Sequence, residues 1–229
     1  LLTRTLDDEG VVALRGWVDD IASWPDDGEG WLHHRERTPA GPALCRSENL
    51  IPFHEGLRRL LTEGSMLETA SALLGEPAVL YKEKINYKLP GGGGYAPHQD
   101  APAYPFIDAH VSCMVAVDDA TVENGCLEVV PACHHEVLPM DDAGCIAPDV
   151  VASLPWQPVE VPAGWPLWFH RRAPHRGVAL QRGEDASRAK HPARLGECSM
   201  DGVERQLVQR HRHGHDIERA RCVRQVLDV

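Results

Sequence analysis

The first suggestion of chemistry in this chain is a short triplet, His98-Gln99-Asp100. On a strand, residues two apart point to the same face, so one metal ion can reach both the imidazole and the carboxylate. A third ligand has to come from elsewhere in the fold. His175 stands just past the apolar run Leu167-Trp168-Phe169, at an expected strand end, with His170 as its competitor five positions earlier. Two His and one carboxylate leave three adjacent positions of an octahedron open. That arrangement suits Fe(II) that must take a bidentate organic acid and then O2. The triplet by itself is a weak signal in a chain with 13 His and 34 Asp plus Glu, because a surface His beside a solvated Asp gives the same pattern. On the residues alone, cupin-like metal sites and other jelly-roll enzymes stay open.

Other clusters point less clearly to chemistry. Cys133, His134 and His135 look like a soft-metal cluster by residue type. His211, His213 and His215 alternate in a polar stretch, where they read as incidental. Gly91 to Gly94 could cradle a phosphate, but no helix start or Lys-Ser/Thr follows, so a flexible turn is the better reading.

The elements that must position the triplet are mainly β with N-terminal helices. Val11, Leu14, Val18 and Ile21 recur at helical spacing up to Pro25. Further helical stretches run from Phe53 through Leu61 and from Met66 to Leu74, the last stopped by Gly75 and Pro77. Between them, Asp26 to Arg46 is polar and irregular and is expected to be a loop. From Ala78 the pattern changes to short strands separated by Gly, Pro and Asn turns: Val79–Leu89, Val111–Val117, Cys126–Val130, Val159–Val161 and Leu167–Phe169. This pattern predicts a jelly roll or barrel. One domain over 1–229 is expected, with a helical part at 1–77, a jelly-roll core at 78–177 and an atypical tail at 178–229 that lacks a strand-like run.

Composition sets outer limits. The net charge of -11 disfavours nucleic acid and anionic membrane as partners. Seven Cys without a C-x-x-C pair suggest reduced thiols and a cytoplasmic setting. No apolar run approaches the roughly 20 residues of a membrane span, and no basic-then-apolar leader is visible. A small-molecule substrate is the expected partner; oligomeric state is not legible.

Four blocks then occur in order: Ile85-Asn86-Tyr87-Lys88-Leu89-Pro90-Gly91; Pro97-His98-Gln99-Asp100; Asn124-Gly125-Cys126-Leu127-Glu128-Val129-Val130-Pro131; and Phe169-His170 with Pro174-His175. Together, from about Ala78 to Gly177, they resemble the phytanoyl-CoA dioxygenase family of Fe(II)/2-oxoglutarate oxygenases on a double-stranded β-helix. The resemblance implies Fe(II), with 2-oxoglutarate and O2 as cosubstrates, and His98, Asp100 and His175 as ligands. It favours His175 over His170, because the family motif carries a non-ligand His five residues before the ligand. It places Met114 over the 2-oxoglutarate, and Lys84 and Asn86 within reach of cosubstrate or substrate. A carboxylate at Asp100 leaves no vacant site for halide, so hydroxylation or oxidative ring closure is expected.

The chain departs from the family at the counter-cation for the far carboxylate of 2-oxoglutarate. The family's Arg lies about eleven residues after the distal His, where this chain has Ala186. Arg182 and Arg188 are near but out of register; Arg188 is the preferred stand-in, and one of Lys82, Lys84 and Lys88 is another. One explanation is a disturbed reading frame: shifting by one nucleotide after Arg176 permits, through codon degeneracy, an Arg eleven residues after His175. The other is a divergent tail in which Arg188 or Arg182 serves. For substrate, the loop Ala101–Asp108 with Tyr104 and Phe106 is expected to line the entrance, and the segment Trp31–Arg46 to add walls. The short chain points to small polar substrates: sugar-type secondary metabolites first, as in orthosomycin antibiotic biosynthesis, aminophosphonates or acyl groups next. A jelly-roll metal enzyme without 2-oxoglutarate and an inactive binding module are the readings from other classes.

Overall fold

The computed structural model describes residues 1–28, 30–38, 41–88 and 94–177, together with the backbone of 221–228. Helix α1 (Asp8–Ala22) starts where the Asp7 side chain accepts a hydrogen bond from Gly10 N at 2.9 Å, capping the free amides of the first turn. Its Leu14, Val18 and Ile21 are fully buried, worth roughly 1.5–3 kcal/mol each relative to exposure. Helix α2 (Glu55–Thr62) is capped by His54, whose Nδ1 accepts from Leu57 N. Helix α3 (Gly64–Leu74) stops at Gly75, which takes the left-handed conformation (φ 77°) as its C-cap, a geometry that favours glycine.

The three helices cover the outer face of a large sheet. Its strands are β1 (Leu32–Thr38), β2 (Gly41–Glu48), β3 (Ala78–Lys82), β4 (Lys84–Asn86), β6 (His110–Ala116), β9 (Pro166–His170) and β11 (Arg221–Asp228), in the order β1-β2-β4-β11-β6-β9 with β3 also against β11. A smaller sheet has the order β5-β10-β7-β8, from β5 (Tyr95–His98), β10 (His175–Gly177), β7 (Leu127–Val129) and β8 (Gln157–Val159). A 3-10 turn (Ala101–Ala103) follows the triplet, and the short α4 (Pro148–Ser153) precedes β8.

Strand β6 shows how the layers divide. Val111, Cys113, Val115 and Val117 pack outward with the helical residues, joined by Ile85, Tyr87 and Trp168. Met114 and Ala116 point inward and pack with Leu127, Leu167 and Phe169, closing the space between the two sheets. The expected mainly β jelly roll with N-terminal helices is what the chain forms, and all seven residues of β6 are buried.

Three expectations are corrected. The segment read as a loop, Asp26 to Arg46, contains most of the β1–β2 hairpin, with pairing from Leu32↔Glu48 to Thr38↔Gly41. Its strands are charged and half-exposed, and what holds them is a ladder of backbone hydrogen bonds that leaves no apolar alternation to read. The single strand expected over Val79–Leu89 is broken at Glu83, whose carboxylate turns outward to accept from the amides of Leu50 and Ile51. Burial pushes the Glu83 carboxyl above its usual range in spite of those donors. The tail expected to lack strands supplies β11, which runs parallel to β3, β4 and β6. Arg182, Ala186, Arg188, His211, His213, His215, the bulk of the glycine turn at Gly91 to Gly94, and the account of a disturbed frame lie outside the described residues.

Candidate metal centre

Strand β5 ends at His98 and pairs antiparallel with β10, so that His98 and His175 are direct cross-strand partners. Their rings lie 4.1 Å apart between centroids. Asp100 follows two residues after His98, and its Oδ1 is 3.8 Å from His98 Nε2. One ligand atom from each of the three side chains lies within 4.8 Å of the other two; among the described residues this is the one such group of three. Asp100 and His175 are buried, and His98 is partly so.

Each of the three side chains is turned by a second partner. His98 Nδ1 donates to Ala96 O at 3.1 Å, and His175 Nδ1 donates to Ala173 O at 3.0 Å. A neutral imidazole with its proton on Nδ1 keeps a lone pair on Nε2, the form that binds a metal. Ser112 Oγ donates to Asp100 Oδ2 at 2.5 Å, which fixes the carboxylate and leaves Oδ1 toward His98. Two neutral nitrogens and one anionic oxygen are the donor set of the 2-His-1-carboxylate facial site, so the residues fit a divalent iron.

His170 does not join this group. It lies on β9 beside Phe169, whose ring faces His175 at 4.8 Å, and alternation turns His170 to the opposite face. There it stands 5.1 Å from His134, which stacks on His135 at 4.5 Å. Burial, followed by the nearby His134 and Arg172, pushes the His170 imidazole below its usual range. Arg176 also faces away, paired with Glu128 at 2.5 Å and lying over Trp156.

The remaining predicted residues lie on the interior face of the large sheet. Met114 is two positions along β6 from Ser112 and fully buried. Lys84 and Asn86 are buried on β4, opposite Glu48 and Arg46 of the hairpin. Lys88 continues this face and donates to Gly125 O at 2.7 Å. Glu48 forms ion pairs with Arg46 at 2.7 Å and with Lys82 at 3.2 Å. Burial alone would raise the Glu48 carboxyl, but Lys82, Arg46 and Lys84 outweigh it and hold it below the usual range. Of the two residues expected to line the entrance, Tyr104 is buried and packs edge-on against Tyr81 at 5.1 Å, whereas Phe106 is exposed.

Sequence reasoning missed Ser112, Arg46 and Glu48. Ser112 carried a usable signal, a lone hydroxyl at an inward position of an apolar strand. Arg46 and Glu48 had the two-residue spacing of a strand but sat in a segment read as a loop.

Comparison with known proteins gives the chain's family and the fold it shares. The sequence profile of the phytanoyl-CoA dioxygenase (PhyH) family matches residues 3–181. A methylphosphonate hydroxylase from Gimesia maris is 53% identical over 164 residues, 71% of this chain and 63% of that protein. A 2-aminoethylphosphonate dioxygenase from an uncultured bacterium is 35% identical over 171 residues, 72% of this chain and 65% of that protein. The matches therefore span a little under two thirds of these relatives' length. Among solved structures, the non-haem α-ketoglutarate-dependent epimerase SnoN of nogalamycin biosynthesis has a TM-score of 0.61 and 26% identity, covering 80% of this chain and 72% of that one. EctD from S. alaskensis, solved with 2-oxoglutarate and 5-hydroxyectoine, has a TM-score of 0.64 at 16% identity over 79% of this chain and 67% of that one, a likeness of fold alone.

Proposed function

Because the chain belongs to the phytanoyl-CoA dioxygenase family, we propose that it is an Fe(II)/2-oxoglutarate-dependent oxygenase that hydroxylates a small phosphonate. His98, Asp100 and His175 would hold the iron. When bound, the iron with 2-oxoglutarate and O2 supplies the oxidising power, with succinate and CO2 released and a substrate C–H hydroxylated. The chain's own residues present the ligand atoms, keep both imidazoles in the Nδ1–H form and exclude water between the sheets.

The observation that carries the substrate class is the cationic character of the interior face. Arg46, Lys84 and Lys88 are buried there, and partly buried Lys82 joins Arg46 at the Glu48 carboxylate, in a chain whose net charge is -11. A face lined with cationic side chains suits anionic ligands. One such anion is the 2-oxoglutarate dianion, with Lys84 or Lys88 in the place of the family's Arg. A small phosphonate is another. The 53% identical relative, named a methylphosphonate hydroxylase, supports the same class.

A sugar-type secondary metabolite is the second reading, favoured by the likeness to SnoN. Succinate release separates the two. Methylphosphonate is expected to stimulate it with Fe(II) and 2-oxoglutarate present, with 2-aminoethylphosphonate as the near comparator. Stimulation by a neutral glycoside and by neither phosphonate would overturn the phosphonate assignment. Anaerobic addition of Fe(II) and 2-oxoglutarate should give a weak visible band at roughly 500–530 nm; no band at saturation would remove the oxygenase reading itself.

A further inference from the structure

The residue between the first two ligands has a task of its own. Gln99 is 2% exposed, and its side chain points away from the ligand face. Its Nε2 donates to Arg172 O at 2.5 Å and to Glu136 O at 3.0 Å, and its Oε1 accepts from Leu138 N at 2.7 Å. One amide thus joins the ligand strand to two separate segments: the loop after β7 and the turn between β9 and β10.

That turn, Arg171 to Pro174, delivers His175. Four successive carbonyls on it each have a donor. Arg171 O accepts from Ala101 N at 2.9 Å, and Pro174 O from Val130 N at 3.0 Å. Ala173 O accepts from His175 itself. Arg172 O accepts from Gln99. Two of these donors are backbone amides and one is the ligand, so among the donors to these four carbonyls Gln99 is the side chain that reaches in from another element. Ala173 O, which sets the tautomer of His175, is the next carbonyl along.

We infer that Gln99 is a positioning residue for the metal centre: it fixes the turn that aims His175, and so couples the third ligand to the strand carrying the first two. The inference rests on the iron reading of the site. Outer partners that orient a ligating His typically account for 10–100-fold in metal affinity. Met has similar volume and reach but cannot donate to Arg172 O or Glu136 O. Asn keeps the amide but is one methylene too short to span all three partners.

The test compares Gln99→Met and Gln99→Asn with Leu57→Ala, a cavity in the outer core under α2 that lowers stability without touching the site. Fe(II) alone is the probe, titrated anaerobically. Both Gln99 variants are expected to lose about tenfold or more in Fe(II) affinity, while Leu57→Ala keeps wild-type affinity at a comparable or lower melting temperature. In metal-free protein, amide exchange at 130–138 and 171–175 is expected to speed up in the Gln99 variants and not in Leu57→Ala. Fe(II) affinity within twofold of wild type in both Gln99 variants, or an equal loss in Leu57→Ala, overturns the inference. If one Gln99 variant fails to fold, the other decides. Failure of the wild type to bind Fe(II) would sink the iron reading instead, and the metal-free exchange would still report whether Gln99 holds the turn.

Discussion

The two faces that meet inside this jelly roll are built on different principles. On the small sheet, the ligand side His98 and His175 are adjacent partners in a backbone ladder, each turned by a carbonyl two residues before it. On the large sheet, the cationic side depends on long side chains, with Glu48 gathering Arg46 and Lys82. The first face owes its geometry to backbone hydrogen bonds, which carry little sequence information. The second owes its geometry to specific charges, which can be exchanged for others. The lesson is that a metal site can be rigid where its neighbouring ligand pocket is adaptable, which suits a family acting on many substrates through one chemistry.

Removing one imidazole tests the ligand face most severely. His175→Ala is expected to lower Fe(II) affinity by more than about 100-fold, beyond the range for outer partners, while His170→Ala changes it by less than about twofold. Anaerobic titration measures both, and equal losses would erase the distinction between the two histidines.

Breaking the cationic face comes next. Glu48→Gln removes the carboxylate that Arg46 and Lys82 contact and is expected to cost about 1–3 kcal/mol in urea unfolding. The pH dependence has a definite sign. The folded Glu48 carboxyl lies below its ordinary range, so its contribution is present above the ordinary carboxylate pKa and is lost as pH falls through the folded value. Wild type should therefore lose this increment on acidification and Glu48→Gln should not. A wild-type and variant pair with parallel acid profiles would show that the cluster contributes nothing.

Ser112→Ala is a milder test on the ligand face, since it removes the hydroxyl donor to Asp100 Oδ2. About a tenfold loss of Fe(II) affinity is expected with little change in melting temperature; unchanged affinity would make the hydroxyl a packing feature only. The smallest effect belongs to Glu83, outside both faces. Its carboxyl is raised by burial, so the stability it contributes is present below its ordinary pKa and lost as pH rises through the raised value. Glu83→Gln keeps an acceptor for Leu50 and Ile51 and should remain within about 1 kcal/mol of wild type near neutral pH, with that pH dependence removed. A larger loss would mean the charge itself is required.

Much of this was legible in the sequence where a residue's type and its burial go together. Leu14, Val18 and Ile21 mark α1 by period, Gly75 marks the end of α3, and the apolar run of β6 announces a buried strand. His98, Asp100 and His175 were legible through motif order. The hairpin was not, because Leu32–Thr38 is held by a ladder to β2 and carries five charged or imidazole side chains on no apolar face. Its loss hid Arg46 and Glu48 as well. Gln99 was visible as a letter, but its role depends on Leu138 and Arg172, which only the folded chain brings near.

The cross-strand pairing of His98 with His175 has one more consequence. Among the described residues, strand β5 is the outermost strand of its sheet, and edge strands open first when a sheet frays. An ion held between these two imidazoles would pin that edge to β10. Peeling of β5 would separate two of its ligands at once, so the ion's residence time would be sensitive to the local opening of a single strand.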